Sequence, residues 1–362
     1  MQKVKLPSIP AGLTPEFLTL ILAESLLADG GQVTEVEASP MAEGAGMMAE
    51  IAKLRVTYED APANLPSSIV AKFSSSNPTN REIALSYNVY EREARYYAEM
   101  DPRTEAVGPE IFFSQIDGEN LLILMEDLSD YEVGSQVIGA TLEQTEVAID
   151  ELAKLHGAFW GRVETLEWVP GIADSYHADT MLDLAVSGWD KMVDTYGDLL
   201  LEPTRGQKDA FLSAIPKLQH DRNSQPRTLC HGDFRMENLL YGTRPDQHPV
   251  VVIDWQGPLR CRGMFDVALF LCQSTKTEVR REHELVLLER YTQGLLRAGV
   301  NPLEPSDVWE DYRRTVLYNW VYTSVVTGSL DVTNEVTSAW MAKMVARQSA
   351  ASEDLTVFEL LP

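Results

Sequence analysis

The chain has 362 residues, room for two ordinary domains or one large bilobal one, and its 44% hydrophobic and 23% charged content are those of a globular protein with a sizeable core. Its formal net charge of -25 leaves no basic face for a phosphate backbone, which argues against nucleic acid or an anionic membrane surface as a partner. The acidity is spread almost evenly along the chain, as solubility requires, rather than gathered into a trap for a cationic substrate.

The N-terminal Met1-Gln-Lys-Val-Lys-Leu-Pro has no apolar core of a signal sequence, and no run of about 18 apolar residues follows anywhere. A cytoplasmic, soluble chain without membrane insertion is the expectation. Residues 14–28 read as an amphipathic helix, with Thr14 as N-cap and Pro15 in the first helical position. Residues 33–38 and 50–58 then alternate as strands, and 68–73 form a short apolar run that includes Lys72. A helix is expected over 81–100 and a buried strand over 121–125, ending in Glu126-Asp127-Leu128-Ser129. From there the pattern turns helical. Thr141-Leu-Glu-Gln144 matches a capping box before a periodic run to Trp160, and further helices are expected over 179–196, 205–218, 277–298, 305–328 and 334–352. Residues 228–253 are the exception, two short strand-like pieces around a polar loop. A β-rich first third and a helical remainder predict an α+β fold of two lobes, residues 1–127 and 128–362. Cys230, Cys261 and Cys272 are too few for a disulfide framework and lack the spacing of a zinc site, so a reduced compartment fits.

Chemistry concentrates in Leu229-Cys-His231-Gly-Asp233-Phe-Arg-Met-Glu-Asn238, followed by Val250-Val-Val-Ile-Asp254-Trp-Gln. An apolar strand leads into a loop with one carboxylate and, five residues on, one amide; a second apolar strand delivers another carboxylate. Phosphoryl transfer needs this set. Asp233 would accept or orient the proton of a hydroxyl, while Asn238 and Asp254 offer oxygen ligands to a magnesium ion bridging ATP phosphates. An H-x-D triplet alone is usually a turn between core strands, but H-x-D-x-x-x-x-N followed by a strand ending in Asp is far more specific. His231 reads as a structural hydrogen-bonding residue. Glu237, beside Asn238, either tunes the metal site or points to solvent.

Residues 231–238 with Ile253-Asp254-Trp255 resemble the signature of the aminoglycoside phosphotransferase and choline kinase superfamily. Tyr90-x-x-Glu93-x-x-Tyr96-Tyr97, Leu124-Met-Glu-Asp-Leu128, Leu155-His-Gly-Ala-Phe-Trp160 and the glutamine after Trp255 are most similar to its ecdysteroid-kinase-like branch, and the resemblance spans about residues 14–350. It implies a bilobal, protein-kinase-like fold and an ATP- and magnesium-dependent transfer to a small-molecule hydroxyl acceptor. Lys72, by itself an edge residue, becomes the phosphate-gripping lysine, with Glu93 as its partner. Gly44 and Gly46 become either the phosphate-covering loop or a simple hairpin turn; without Gly-Lys-Ser/Thr this is no Walker loop. Backbone groups at Glu126 and Leu128 become the adenine-binding hinge. Asp266 is expected to be structural, at the start of a helix. Trp160, Trp189, Trp320 and Trp340 read first as core, although some must line any substrate pocket. No Ala-Pro-Glu motif follows Asp254, which argues against a protein substrate. The branch points to an apolar alcohol such as a steroid or terpenoid; an aminoglycoside or other cationic or sugar substrate, and an ATP-binding pseudokinase, are the alternatives.

Overall fold

Alternating apolar residues in the first third of the chain build a five-stranded antiparallel sheet in the computed structural model, which describes residues 4–41, 48–330 and 334–362. The strands are β1 (Gln32–Pro40), β2 (Ala49–Glu59), β3 (Ser68–Ser74), β4 (Ile111–Asp117) and β5 (Asn120–Glu126), in the order β1-β2-β3-β5-β4. Helix α1 (Pro15–Ile21) is capped by Thr14, whose hydroxyl accepts from the Phe17 N–H, and packs on β1. Its Leu18 and Ile21 join Leu54, Ile69, Ala71, Phe73 and Leu124 in one apolar cluster. The helix stops well short of residue 28. Beyond it the Leu27 N–H turns back to the Leu22 carbonyl, so both leucines reach that cluster, and their burial outweighs helix propensity.

The single helix expected over 81–100 is two. Helix α2 (Pro78–Ser86) is capped by Asn77, and α3 (Val89–Arg95) runs on through a π turn, Tyr96–Met100. Between them Asn88 adopts the left-handed region, φ 54°, which asparagine tolerates better than most residues. The break re-aims α3 so that Tyr90, Glu93 and Ala94 are buried, and the wider π turn buries Tyr96 and Tyr97 together. The Tyr90 hydroxyl accepts from the Ser75 N–H and donates to the Met48 carbonyl, which ties α3 to the end of β3.

The remainder is mainly helical, as expected. In chain order it contains β6 (Glu132–Val133), α4 (Leu142–Phe159), α5 (Ser175–Tyr196), α6 (Glu202–Arg205), α7 (Lys208–Arg222), β7 (Thr228–Cys230), β8 (Leu239–Tyr241), β9 (Val250–Val252), β10 (Leu259–Cys261), α8 (Met264–Leu269), α9 (Thr277–Arg297), α10 (Pro305–Ser329) and α11 (Glu335–Asp354). Thr141 and Gln144 form the expected capping box of α4. Strands β6, β8 and β9 make one small sheet, and β7 pairs with β10. Contacts divide the chain into two units. The first holds Met1–Arg103, Gly108–Tyr131 and the short Ile253–Gly257; the second holds Thr104–Val107, Glu132–Val252 and Pro258–Pro362.

Trp189 and Trp320 are core residues of the second unit, tilted against each other at 6.1 Å. Their helices, α5 and α10, meet at Gly188, where an added Cβ would lie 2.2 Å from the Ser324 carbonyl oxygen. Gly188→Val should therefore lower the unfolding free energy by about 1–3 kcal/mol in urea denaturation. An unchanged midpoint would show that the two helices are free to separate.

Candidate active site

In the first unit the pleat decides where Lys72 points. Ala71 and Phe73 face the α1 side of the sheet, so Lys72 faces the other, against which α3 packs. Its Nζ lies 2.7 Å from Glu93 Oε1 and 2.7 Å from Asp254 Oδ1. Lys72 and Glu93 are buried, while Asp254 is partly exposed. Burial alone would pull the lysine pKa down, but Asp254 and Glu93 outweigh it and hold the ammonium well above its ordinary value. Burial likewise pushes Glu93 up, against the attraction of Lys72. The two residues that follow Asp254 support the triad. Trp255 stacks on Tyr96 with ring centroids 3.5 Å apart, and Gln256 Nε2 donates to Glu93 Oε2 at 3.2 Å. Asp254 itself sits at φ 68°, a left-handed conformation of the kind found where the surroundings over-determine a functional residue.

The segment 126–128, expected to bind adenine, is also in this unit. Glu126 closes β5 with an exposed side chain, and its N–H donates to the Glu110 carbonyl at 2.8 Å. Leu128 is buried, and its carbonyl accepts from the Tyr131 N–H. Between them Asp127 accepts from Ser68, Lys53 and Ser129; burial would raise it, but these bonds hold it down at about 2. Gly44 and Gly46 lie outside the described residues.

The second unit carries the loop of Asp233. Strand β7 delivers His231 and Gly232, the latter at φ 84°, where a side chain would be strained. Asp266, in the first turn of α8 and completely buried, pins both: its Oδ2 accepts from the His231 N–H at 2.7 Å and its Oδ1 from the Gly232 N–H at 3.0 Å. His156 of α4 lies between Asp266 Oδ2 (Nε2, 3.1 Å) and the Tyr291 hydroxyl of α9 (Nδ1, 2.8 Å). The Asp266 carboxylate fixes the tautomer, with Nε2 protonated and Nδ1 accepting from Tyr291. Three donors satisfy the buried acid. Gly157, next to His156, lets α4 approach the end of α9, since a Cβ there would meet the Ala298 Cβ at 2.3 Å.

Asp233 is partly exposed at the tip of this loop. Asn238 closes the loop: its Nδ2 donates to the Asp233 carbonyl at 2.8 Å and to Oδ2 at 3.1 Å. That commits the amide nitrogen and leaves the amide oxygen for a ligand. An amide oxygen is a hard donor of the kind a magnesium ion prefers. Arg235 Nε lies 3.3 Å from Asp233, its Nη1 reaches Glu237 Oε2 at 3.1 Å, and its guanidinium covers the Trp340 ring at 4.9 Å. Glu237 therefore does not point freely to solvent. Its other oxygen accepts from the Gln136 N–H at 2.9 Å, and Gln136 in turn accepts from the Met236 N–H and Ser274. Trp340, on α11, is half-buried beside the loop rather than in the core, and Trp160 is a half-buried cap of α4.

The model of the ecdysteroid kinase-like family matches residues 43–299. This chain belongs to that family. The ecdysteroid-kinase-like branch expected from the motifs is thus the observed family, and the expected enzyme class, a small-molecule kinase with an alcohol acceptor, is that of the family. The fold of this ecdysteroid kinase-like protein is shared by a GDP complex of a point mutant of aminoglycoside 2'-phosphotransferase-IIIa, at 11% identity and TM-score 0.55 over 94% of this chain and 99% of that one. It is similar also to an ethanolamine kinase of Plasmodium vivax, at 12% identity and TM-score 0.51 over 92% and 86%. The GDP and kanamycin complex of an aminoglycoside phosphotransferase aligns at 12% identity and TM-score 0.51 over 92% and 98%. None of the curated proteins matches the sequence. Among the described residues no helix is long and apolar enough to cross a membrane.

Sequence reasoning missed Tyr322, Gln136 and Arg347. Tyr322, on α10, donates its hydroxyl to Asp233 Oδ1. Arg347, on α11, donates to the carbonyls of Gln136 and Val137. No local pattern marks any of them. For the triad, Lys72→Met should cost about 3–5 kcal/mol in urea denaturation near neutral pH, because Glu93 loses its counter-ion while buried. The folded-state pKa of Glu93, already above 4.5, then rises further. A carboxyl raised in the folded state stabilises below its unfolded pKa and loses that contribution as pH climbs through the folded value. The deficit of the variant should thus be smaller at about pH 5 than at about pH 8. A deficit independent of pH would show that Glu93 is not left as an unpaired acid.

Proposed function

We propose that the chain transfers the γ-phosphate of ATP to the hydroxyl of a neutral, mainly apolar small molecule, a steroid- or terpenoid-like alcohol. The observation that carries transfer is the partly exposed carboxylate of Asp233 on a loop pinned through Asp266 and Asn238. In this reading Asp233 accepts the acceptor's proton as its oxygen bonds to the γ-phosphorus, the bond to the β–γ bridging oxygen breaks, and ADP leaves. Lys72 grips the phosphates, with Glu93 holding its ammonium in place. Asn238 and Asp254 would hold magnesium, which supplies charge neutralisation for the phosphates when bound. Adenine would be met by backbone of the segment 126–128; the Glu126 N–H is engaged by Glu110, so the N–H donor would be that of Leu128. Nucleotide use is further supported by the GDP complexes among the structures of similar fold.

Arg235 supports the neutral acceptor. A cationic acceptor is best met by unpaired carboxylates beside the base. Here Asp233 and Glu237 both face the Arg235 guanidinium, which Asp233, Tyr322 and Glu237 keep charged against the pull of burial. The relatives named for kanamycin and ethanolamine make amino alcohols the second reading.

ADP release should be followed for the full chain with magnesium and either ATP or GTP, against sterols, terpenoid alcohols, kanamycin and ethanolamine. Turnover is expected with ATP and a neutral alcohol. Asp233→Asn should lower kcat by about 100-fold or more while nucleotide affinity is retained. Equal turnover by the variant would remove Asp233 from the mechanism. Nucleotide binding without transfer to any acceptor would favour a pseudokinase, and turnover confined to the amines would reverse the acceptor class.

A further inference from the structure

Asp233 is held by two side chains of its own loop, Arg235 and Asn238, and by one from a distant helix, Tyr322. Burial, and then the Asp233 charge, push the Tyr322 hydroxyl well above the ordinary tyrosine range, so it stays a neutral donor. Its backbone is firmly placed. The adjacent Thr323 accepts from Gln273 Nε2 at 3.0 Å and donates to the Asn319 carbonyl at 2.9 Å, and Ser324 lies against Gly188 of α5. An ionised carboxylate offers about four lone-pair sites. Asn238 Nδ2 and Arg235 Nε both donate to Oδ2, and Tyr322 donates to Oδ1.

Resting on the phosphotransferase reading, we propose that Tyr322 is a positioning residue for the acceptor step. Its hydroxyl fixes the rotation of the Asp233 carboxylate and leaves a lone pair of Oδ1 for the incoming hydroxyl. Loop contacts alone move with the loop. The Tyr322 bond instead references the base to α10, so the geometry of proton acceptance is set by the helical framework.

The test is Tyr322→Phe, which removes one oxygen, assayed as the full chain with Mg·ATP and the best neutral alcohol found above. A carboxylate held through Oδ2 alone should lower kcat on the order of 10- to 100-fold, with the KM for ATP and the nucleotide affinity nearly unchanged. On an Asp233→Asn background the same change should cost little more, because both act through one group. Installing 3-fluorotyrosine at position 322 keeps the donor and should restore most of the rate, even where Tyr322→Phe also lowers the melting temperature. Unchanged kcat in Tyr322→Phe, or losses that simply add in the double variant, overturns the proposal while leaving the kinase reading intact. A wild-type chain that binds Mg·ATP and transfers to no acceptor overturns the kinase reading, and this inference with it.

Discussion

Burying the Lys72 ammonium is the constraint from which the first unit is organised. A charge taken out of water is tolerated only with partners at hydrogen-bonding distance, and strand β3 supplies none. Glu93 must come from α3, which explains why the helix is broken at Asn88 and re-aimed instead of running straight through. Asp254 must come from far along the sequence. Residues Ile253–Gly257 accordingly belong with the first unit although Val252 and Pro258 on either side belong with the second. The Asp-Trp-Gln triplet then reads as three anchors to one place. Asp254 meets Lys72, Trp255 stacks on Tyr96, and Gln256 completes Glu93.

The second unit solves a related problem with a buried acid instead of a buried cation. Asp266 has no exposure, and each donor it accepts from is a part of the machinery: two backbone N–H groups of the Asp233 loop and one imidazole. The Leu155-His-Gly motif is explained by that need. His156 is the third donor, and Gly157 lets its helix come close enough to α9 for the Tyr291 hydroxyl to meet the other ring nitrogen. An acid satisfied in this way orients its donors rigidly, and the rigidity is passed to Asp233, two residues beyond His231.

Legibility in the sequence followed distance along the chain. Asp233 and Asn238 were readable because both sit on one loop at fixed spacing, and Asp254 because a buried strand delivers it. Lys72 and Glu93 were readable only through resemblance, since a lysine in an edge-like position and a glutamate on a helix are ordinary. Asn88 was not readable, because its left-handed backbone is imposed by the burial of Tyr90 and Glu93 rather than by its neighbours. Tyr322 was equally hidden. Tyr312 and Tyr318 on the same helix are buried core residues, and nothing in the spacing separates a tyrosine that packs from one that donates to a base.

Charge shows why composition misleads at this scale. The chain carries a net -25, yet the carboxylates nearest the proposed base are not gathered for a cation. Glu237 spends one oxygen on the Gln136 backbone and the other on Arg235, whose guanidinium also faces Asp233 and lies over Trp340. The charges beside the proposed base are thus already paired within the loop. The net charge of the whole chain says nothing of how the carboxylates of this loop are paired, which Arg235 sets.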